Sequence, residues 1–353
     1  MRNILTVFIL TFIIIIITAL SCTSSPSESE VVRPRYLFPG DYMADPAAHV
    51  FNGRLYIYPS HDRVSSAGSG GMDGGAYDMI DYHVFSLDDI FYGDVTDHGV
   101  VLSLRDIPWA RSQLWDNDVA CKDDIYYMYF PAKDHNGIFR IGAAIASRPE
   151  GPFIPQPEPI PGSYSIDPCV FEDDGNYYMY FGGIWGGQLQ QYNGNTYAGT
   201  SNRPNNSGRA ISPRVAKLSG DMLRFAEEPR ELLITDRNGN PLMSADNSRR
   251  FFEASWMHKY NGVYYFSYST GDTHYLCYAT GDNPYGPFIY QGIILTPVIG
   301  WTTHHSIVEF KEKWYLFYHD ARPSGGTDHL RSMKVTELTH LPDGSIQRIN
   351  GMR

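Results

Sequence analysis

Ile166-Asp-Pro-Cys-Val-Phe-Glu-Asp-Asp-Gly-Asn-Tyr-Tyr-Met-Tyr-Phe181 is the stretch on which the fold turns. An acidic residue opens it, an apolar stretch follows, a Gly/Asn/Asp turn comes next, and a tyrosine-rich apolar run closes it. This is the pattern of a β-hairpin. The same phrase returns over residues 44–58, 115–130, 252–266 and 303–317, so the chain holds five copies. Asn52-Gly53 and Asn261-Gly262 supply the strongest short hairpin turn signals in it.

Working outward, a third strand-like run follows most hairpins: Tyr82–Leu87, Phe139–Ser147, Arg214–Leu218, Tyr275–Thr280 and Leu330–Leu338. The phrases Glu150-Gly-Pro-Phe153 and Tyr285-Gly-Pro-Phe288 recur after two of them. No long amphipathic helix pattern occurs. Repeated small antiparallel sheets predict an all-β, five-bladed β-propeller. Blades pack sheet on sheet, which accounts for runs apolar on both faces such as Tyr126-Tyr-Met-Tyr-Phe130. A β-sandwich is the competing architecture. It gives no reason for a special polar residue to recur at one place in every copy.

That residue is Asp45, Asp118, Asp167, Glu253 or His304, at spacings of 73, 49, 86 and 51. In a propeller the first strand of each blade lines the central channel, so these five positions are expected to converge at one mouth. Asp45-Pro46 and Asp167-Pro168 taken singly read as turn pairs. Glu253 alone is an ordinary polar residue, and His304-His305 an ordinary pair at a strand end. The joint occurrence carries the signal, because clustered like charges raise one another's pKa and destabilise a fold unless they are used.

Composition narrows the chemistry. The chain has 353 residues and a formal charge of −11, which repels phosphate backbones and argues against nucleic-acid binding. The hydrophobic fraction of 42% supports a core, and 26 Tyr and 18 Phe favour strands and a ligand that stacks on rings. Four cysteines, at 22, 121, 169 and 277, are too few for a disulfide scaffold, and no C-x-x-C metal pattern exists. Cys121, Cys169 and Cys277 read as buried thiols. Walker, dinucleotide and serine-hydrolase elbow motifs are absent from the sequence.

Arg2 precedes an apolar run from Ile4 to Leu20, and Ala19-Leu20-Ser21-Cys22 follows. This resembles a bacterial lipoprotein box, although Ala19 stands where Leu is usual. Residues 1–22 are expected to be a lipoprotein signal, 23–34 a polar tether and 35–353 the propeller. A plain signal peptide or an uncleaved anchor is the second reading, and an unexported protein the third. The chain is therefore expected to be exported and lipid-anchored in a bacterial envelope, at the periplasm or cell surface. The membrane is then a partner only through the anchor.

From about Arg35 to Leu338 the sequence resembles glycoside hydrolase family 43. The likeness rests on the five repeats and on Pro39-Gly-Asp-Tyr-Met-Ala-Asp45, Phe251-Phe-Glu-Ala-Ser-Trp-Met257 and Trp301-Thr-Thr-His-His-Ser306. These phrases look closest to members that are β-xylosidases with α-L-arabinofuranosidase side activity. The resemblance implies three essential carboxylates: Asp45 as general base, Glu253 as general acid, and Asp167 as the residue that tunes and holds the acid. Inverting hydrolysis needs two carboxyl groups far enough apart for a water to fit, which opposed blades can supply.

The resemblance also implies Ca²⁺ at the channel axis, held by His304 and waters. His304 is preferred over His305 by motif position. A lone histidine with water is a poor calcium site by ligand count, which leaves sodium or water as alternatives. The substrate-binding candidates are Trp115, Asp118, Trp185 and Arg331. Trp115 is placed at the channel mouth or in the core between blades, and Asp118 is placed on the same site. Arg331 either contacts the substrate or base, or lies on a surface strand. Trp185, in Gly182-Gly-Ile-Trp-Gly-Gly187, stands in a pocket wall or on a surface loop. Ser65–Gly75 is a glycine-rich loop of unassigned purpose.

The expected function is inverting hydrolysis of terminal β-1,4-xylosyl, or α-L-arabinofuranosyl, units of hemicellulose oligosaccharides. The alternatives are an arabinan- or galactan-directed enzyme of the same family and a non-catalytic glycan-binding propeller.

Overall fold

Five hairpins form where the repeats predict them, and each turns through two residues with left-handed backbone. The pairs are Asn52-Gly53, Asp123-Asp124, Asp174-Gly175, Asn261-Gly262 and Lys311-Glu312, with φ between 49° and 81°. Positive φ at both central positions matches the right-handed twist of the strands, which is why two-residue loops use it. Three of the pairs carry the glycine this geometry favours. Asp123-Asp124 and Lys311-Glu312 adopt it at a local cost that the flanking sheet overrides.

In the computed structural model, residues 34–38, 40–64, 74–199, 208–301 and 304–352 are described. The leader and tether expected over 1–34 lie outside them but for Pro34, as do residues 65–73 of the glycine-rich loop.

Each hairpin supplies the two inner strands of one four-stranded antiparallel blade. The first blade runs Met43–Phe51, Arg54–His61, Asp81–Leu87, Thr96–Ser103 from the channel outward. The second runs Asp118–Lys122, Ile125–Asp134, Phe139–Ala146, Ile154–Pro155, with Ala110–Ser112 added beside its second strand. The third is Cys169–Asp173, Asn176–Phe181, Arg214–Lys217, Arg230–Glu231. The fourth is Glu253–Tyr260, Val263–Ser269, Leu276–Gly281, Phe288–Leu295, flanked in parallel by Ile234–Thr235.

The fifth blade takes His305–Phe310, Lys313–Asp320 and Ser332–Leu338 from one end of the described chain and Arg35–Tyr36 from the other. Hydrogen bonds between these distant segments close the ring, so the circle has no open seam to fray. The five innermost strands touch in the order first, second, third, fourth, fifth and back to first.

The tyrosines explain how blades adhere. Tyr58, Tyr129 and Tyr180 stand at the same place on the second strands of blades one, two and three, and all are fully buried. Each donates its hydroxyl to a backbone carbonyl of the following blade: Pro149 at 2.9 Å, Met222 at 3.0 Å and Pro284 at 2.8 Å. A tyrosine buries a ring and still satisfies its hydroxyl, which suits a sheet packed on both faces. Much of the aromatic excess therefore serves blade packing. Cys169 and Cys277 are buried and Cys121 is half-buried, all as free thiols.

Candidate active site

A cavity of about 860 Å³ opens at the end of the ring where the innermost strands begin. Each blade sends a charged or titratable side chain into it from at or near the head of its innermost strand: Asp45, Asp116, Asp167, Glu253 and His304. Four of the five were expected. In the second blade the expected Asp118 is replaced by Asp116, and this corrects the sequence reading. Asp118 begins its strand opposite Tyr129 and points to a neighbouring blade, below the cavity. Its carboxylate lies 2.5 Å from His49 Nε2 and accepts the Val170 N–H at 2.6 Å. It joins blades one, two and three and lines no part of the cavity.

The hairpin turns hold the signal that finds Asp116. Asp45, Asp116, Asp167 and His304 each stand seven residues before the first turn residue: Asn52, Asp123, Asp174 and Lys311. Asp118 stands only five before it. Registering the repeats on their turns selects Asp116.

Local backbone aims these side chains. Asp45 and Asp167 have φ of 49° and 59°, and Ala254, directly after Glu253, has 64°. The ladder register slips at 44–47 and again at 253–256, so Asp45 and Glu253 both sit at β-bulges. A bulge re-aims a side chain that regular pairing would point sideways. Non-glycine residues in this region of backbone cluster where the surrounding structure imposes them, often at functional sites.

Asp45 is 5% exposed and held as part of a buried charge network. Arg331 grips it with two parallel bonds, Nη1 to Oδ1 at 2.7 Å and Nη2 to Oδ2 at 2.9 Å. Ser60 donates its hydroxyl to Oδ2, and the Asp45 backbone N–H is donated to His319 Nδ1 at 3.1 Å. Burial alone would push this carboxyl up. Arg331, then His319, His304 and the Ser60 hydroxyl outweigh it and hold the group at about 2. Asp45 is thus ionised at neutral pH.

The other side of Arg331 is taken by Asp62, which accepts from Nε at 2.8 Å, Nη2 at 2.7 Å and the Arg331 backbone N–H at 2.8 Å. Burial pushes the Asp62 carboxyl up despite Arg331. Sequence reasoning missed Asp62, Ser60 and His319. His61-Asp62-Arg63 looks like the polar end of a surface strand, and nothing local marks Asp62 as buried.

Asp116, Asp167 and His304 form a second cluster. One ligand-type atom from each lies within 4.8 Å of the others; Asp116 and Asp167 are buried and the His304 side chain is 11% exposed. His304 Nδ1 is 3.8 Å from Asp167 Oδ2 and 3.9 Å from Asp116 Oδ2. Burial pushes both carboxyls up; the hydrogen bond between them raises Asp167 and lowers Asp116, which the charges of Asp45 and Glu253 raise further, so the pair retains a proton at neutral pH. Asp116 Oδ2 is buried and has no hydrogen-bond partner. His305, by contrast, is a core residue bonded to Ser267 Oγ at 2.6 Å.

Asp167 also reaches the fourth blade. Its Oδ2 accepts the Ala254 N–H at 2.6 Å, so it fixes the backbone next to Glu253. Glu253 itself is half-buried at the head of its strand. The glycine-rich turn of the third blade passes behind it. Ile184 N–H binds Phe252 O at 3.0 Å, and a Cβ on Gly183 would lie 2.6 Å from Ile166 and 3.2 Å from the Glu253 Cβ. Only glycine allows that approach. The same turn carries Trp185 into the cavity wall.

Trp115, Arg331 and Trp185 all line the cavity, with Tyr77, Phe252 and Trp301, which were not anticipated. Trp115 Nε1 donates to Tyr77 O at 2.7 Å, and a Cβ on Gly74 would come within 2.5 Å of its ring. The end of the glycine-rich loop thus packs on this tryptophan. An ionised carboxylate, a second carboxyl from the blade across the channel, and aromatic walls suit acid–base work on a neutral ring-shaped ligand.

The shared proton of Asp116 and Asp167 predicts a stability effect. Asp116 is pushed up to about 8 from 3.8, chiefly by burial. The folded protein then holds a proton that the unfolded chain has released, so the stability it contributes is full below about pH 4 and is lost as pH rises through 8. Asp116→Asn mimics the protonated form. It is expected to raise the melting midpoint at pH 8 by about 2 °C or more, and little at pH 4. Equal shifts at both values, read by calorimetry, are the result that contradicts the buried proton.

A family model described as glycosyl hydrolases family 43 matches residues 94–346. The chain is 64% identical over 318 residues to a xylosidase/arabinosidase of Bacteroides ovatus, covering 90% of this chain and 98% of that protein. It is 58% identical over 320 residues to a β-xylosidase of Xylanibacter ruminicola, covering 90% and 100%. Among solved structures, RS223-β-xylosidase superposes with a TM-score of 0.89 at 65% identity, over 91% of this chain and 99% of that one. A β-xylosidase/α-arabinofuranosidase from a compost microbial metagenome, in complex with xylotriose and in a calcium-free form, gives 0.88 at 60% identity, over 91% and 99%.

Proposed function

Because the chain belongs to glycosyl hydrolases family 43, we propose that it removes terminal β-1,4-xylosyl units, with α-L-arabinofuranosyl units second, from hemicellulose oligosaccharides. The observation that carries the substrate is identity of 58–64% across 86–90% of the chain to proteins named as β-xylosidase or xylosidase/arabinosidase. The cavity is consistent with a neutral sugar, since aromatic rings provide much of its wall.

Hydrolysis proceeds with inversion in this reading. Asp45, ionised and gripped by Arg331, accepts a proton from the attacking water. Glu253, on the opposite side of the ring of blades, protonates the leaving oxygen. Asp167 positions the acid through the Ala254 N–H bond and shares its proton with Asp116. Trp115, Trp185 and Arg331 shape the sugar site.

His304, Asp116 and Asp167 would hold the expected calcium. The unpartnered Asp116 Oδ2 fits a hard cation, whose binding would displace the proton the two carboxyls share, with waters completing its shell. When bound, it would supply positive charge that orders water beside Asp45. Residues 1–22 act as a lipoprotein signal and 23–34 as a tether, which puts the propeller outside the cytoplasm. This part of the proposal rests on the Ala19-Leu20-Ser21-Cys22 box.

The test is hydrolysis of nitrophenyl β-D-xylopyranoside, α-L-arabinofuranoside and β-D-galactopyranoside, each with calcium and with chelator. The xyloside is expected to be cleaved fastest and the arabinoside next. Silence on both, with cleavage of arabinan or galactan, overturns the substrate assignment. A rate unchanged by chelator overturns the cation.

A further inference from the structure

A second cluster of metal-ligand side chains lies on the first blade, and none of its members lines the cavity. His61 ends the strand Arg54–His61, while Asp81 and His83 open the adjacent strand Asp81–Leu87. Ser60 pairs with Tyr82 across these strands. Tyr82 is fully buried, so its neighbours Asp81 and His83 share the opposite face. One ligand-type atom each from His61, Asp81 and His83 lies within 4.8 Å of the other two. His61 Nδ1 is 2.7 Å from Asp81 Oδ1, and the two imidazoles stand edge to face with centroids 5.0 Å apart.

The surroundings point to a ligand. Each histidine has a further carboxylate behind it. His61 Nε2 is 3.4 Å from Asp41 Oδ2, and His83 Nδ1 is 3.3 Å from Asp97 Oδ1. Histidines that bind metal present one nitrogen to the ion and are oriented through the other by a carboxylate or carbonyl. Here both carry that support. The three side chains are 14–23% exposed, which leaves a path for a hydrated cation. Two imidazoles and one carboxylate favour a borderline ion such as zinc over calcium, with water at the remaining position.

We propose that His61, Asp81 and His83 bind a divalent cation of the zinc class, with Asp41 and Asp97 orienting the two imidazoles. The ion would bridge the two ends of the segment between residues 61 and 81. That segment carries Asp62, which holds Arg331, and the cavity-wall residues Gly74, Ala76, Tyr77 and Met79. Its base is already drawn together by Arg63, whose Nε donates to Asp78 O at 2.6 Å. Occupancy of the site would stiffen one wall of the catalytic cavity from outside it.

Zinc chloride titrated into chelator-stripped protein, in competition with a chromophoric chelator, tests this. His304→Ala removes the histidine of the cavity cluster and is expected to keep the site. His83→Ala and Asp81→Asn are expected to weaken zinc binding by about 100-fold or more, and Asp97→Asn by about tenfold. A 100-fold excess of zinc over its dissociation constant is expected to raise the melting midpoint of His304→Ala by roughly 5 °C, and to leave His83→Ala made in that background unmoved. Melting in chelator, where parent and variant are both metal-free, shows whether each variant folds. If His83→Ala does not fold, Asp97→Asn carries the test. Zinc affinity unchanged in the folded variants, or absent from His304→Ala, overturns the proposal.

Discussion

Asp45→Asn is expected to lower kcat on xylosides by about 10²–10⁴ while the protein stays folded, because Asn cannot take the proton from water. The fold should survive for an electrostatic reason. Arg331 lies between Asp45 and Asp62, so one guanidinium serves two buried carboxyl groups. Removing one partner of a buried pair is damaging when it strands a charge. That does not happen here. Asp62 keeps its three bonds from Arg331. Its carboxyl, raised mainly by burial and further by the charge on Asp45, becomes easier to ionise once that charge is gone. The Asn oxygen still accepts one guanidinium bond. Turnover of nitrophenyl β-D-xyloside and the near-ultraviolet circular dichroism spectrum, measured on the same sample, check the two halves of the expectation. A native spectrum with turnover within tenfold of the parent removes Asp45 from the role of base.

The same network shows how far a sequence can be read. The five hairpins were legible because each blade repeats a local pattern, and turn chemistry and strand alternation are local. Asp45, Asp167 and His304 were legible because they keep one place in the repeat, seven residues before the turn, and Glu253 because it stands within one residue of that place. Asp116 is within reach of the sequence but masked by Asp118, which directly precedes the apolar run, while only the turn fixes the register. Asp62 was out of reach. Its role depends on Arg331, 269 residues away in sequence and brought beside it only when the first and fifth blades meet. The cavity aromatics Phe252 and Trp301 were hidden for a related reason. Phe252 follows another aromatic, Phe251, and nothing beside Trp301 marks its side, so only the closed ring decides which rings face inward.

Glu253→Gln is expected to lose activity in proportion to how much the leaving group needs a proton. On xylobiose, whose departing sugar hydroxyl is a poor leaving group, the fall should reach about 10²–10⁴. On a dinitrophenyl xyloside, whose phenolate departs unaided, it should be less than about tenfold. Gln has the size and hydrogen-bonding reach of Glu. The Asp167 bond to the Ala254 N–H involves the backbone, so it should hold the variant in the same place. Asp45→Asn supplies the contrast: loss of the base hurts every leaving group alike, because water must be activated in each case. Plotting both variants against leaving-group pKa therefore separates the two roles. A steep slope for Glu253→Gln and a flat one for Asp45→Asn assign acid and base. Reversed slopes exchange the assignments, and flat slopes for both show that neither carboxylate donates the proton.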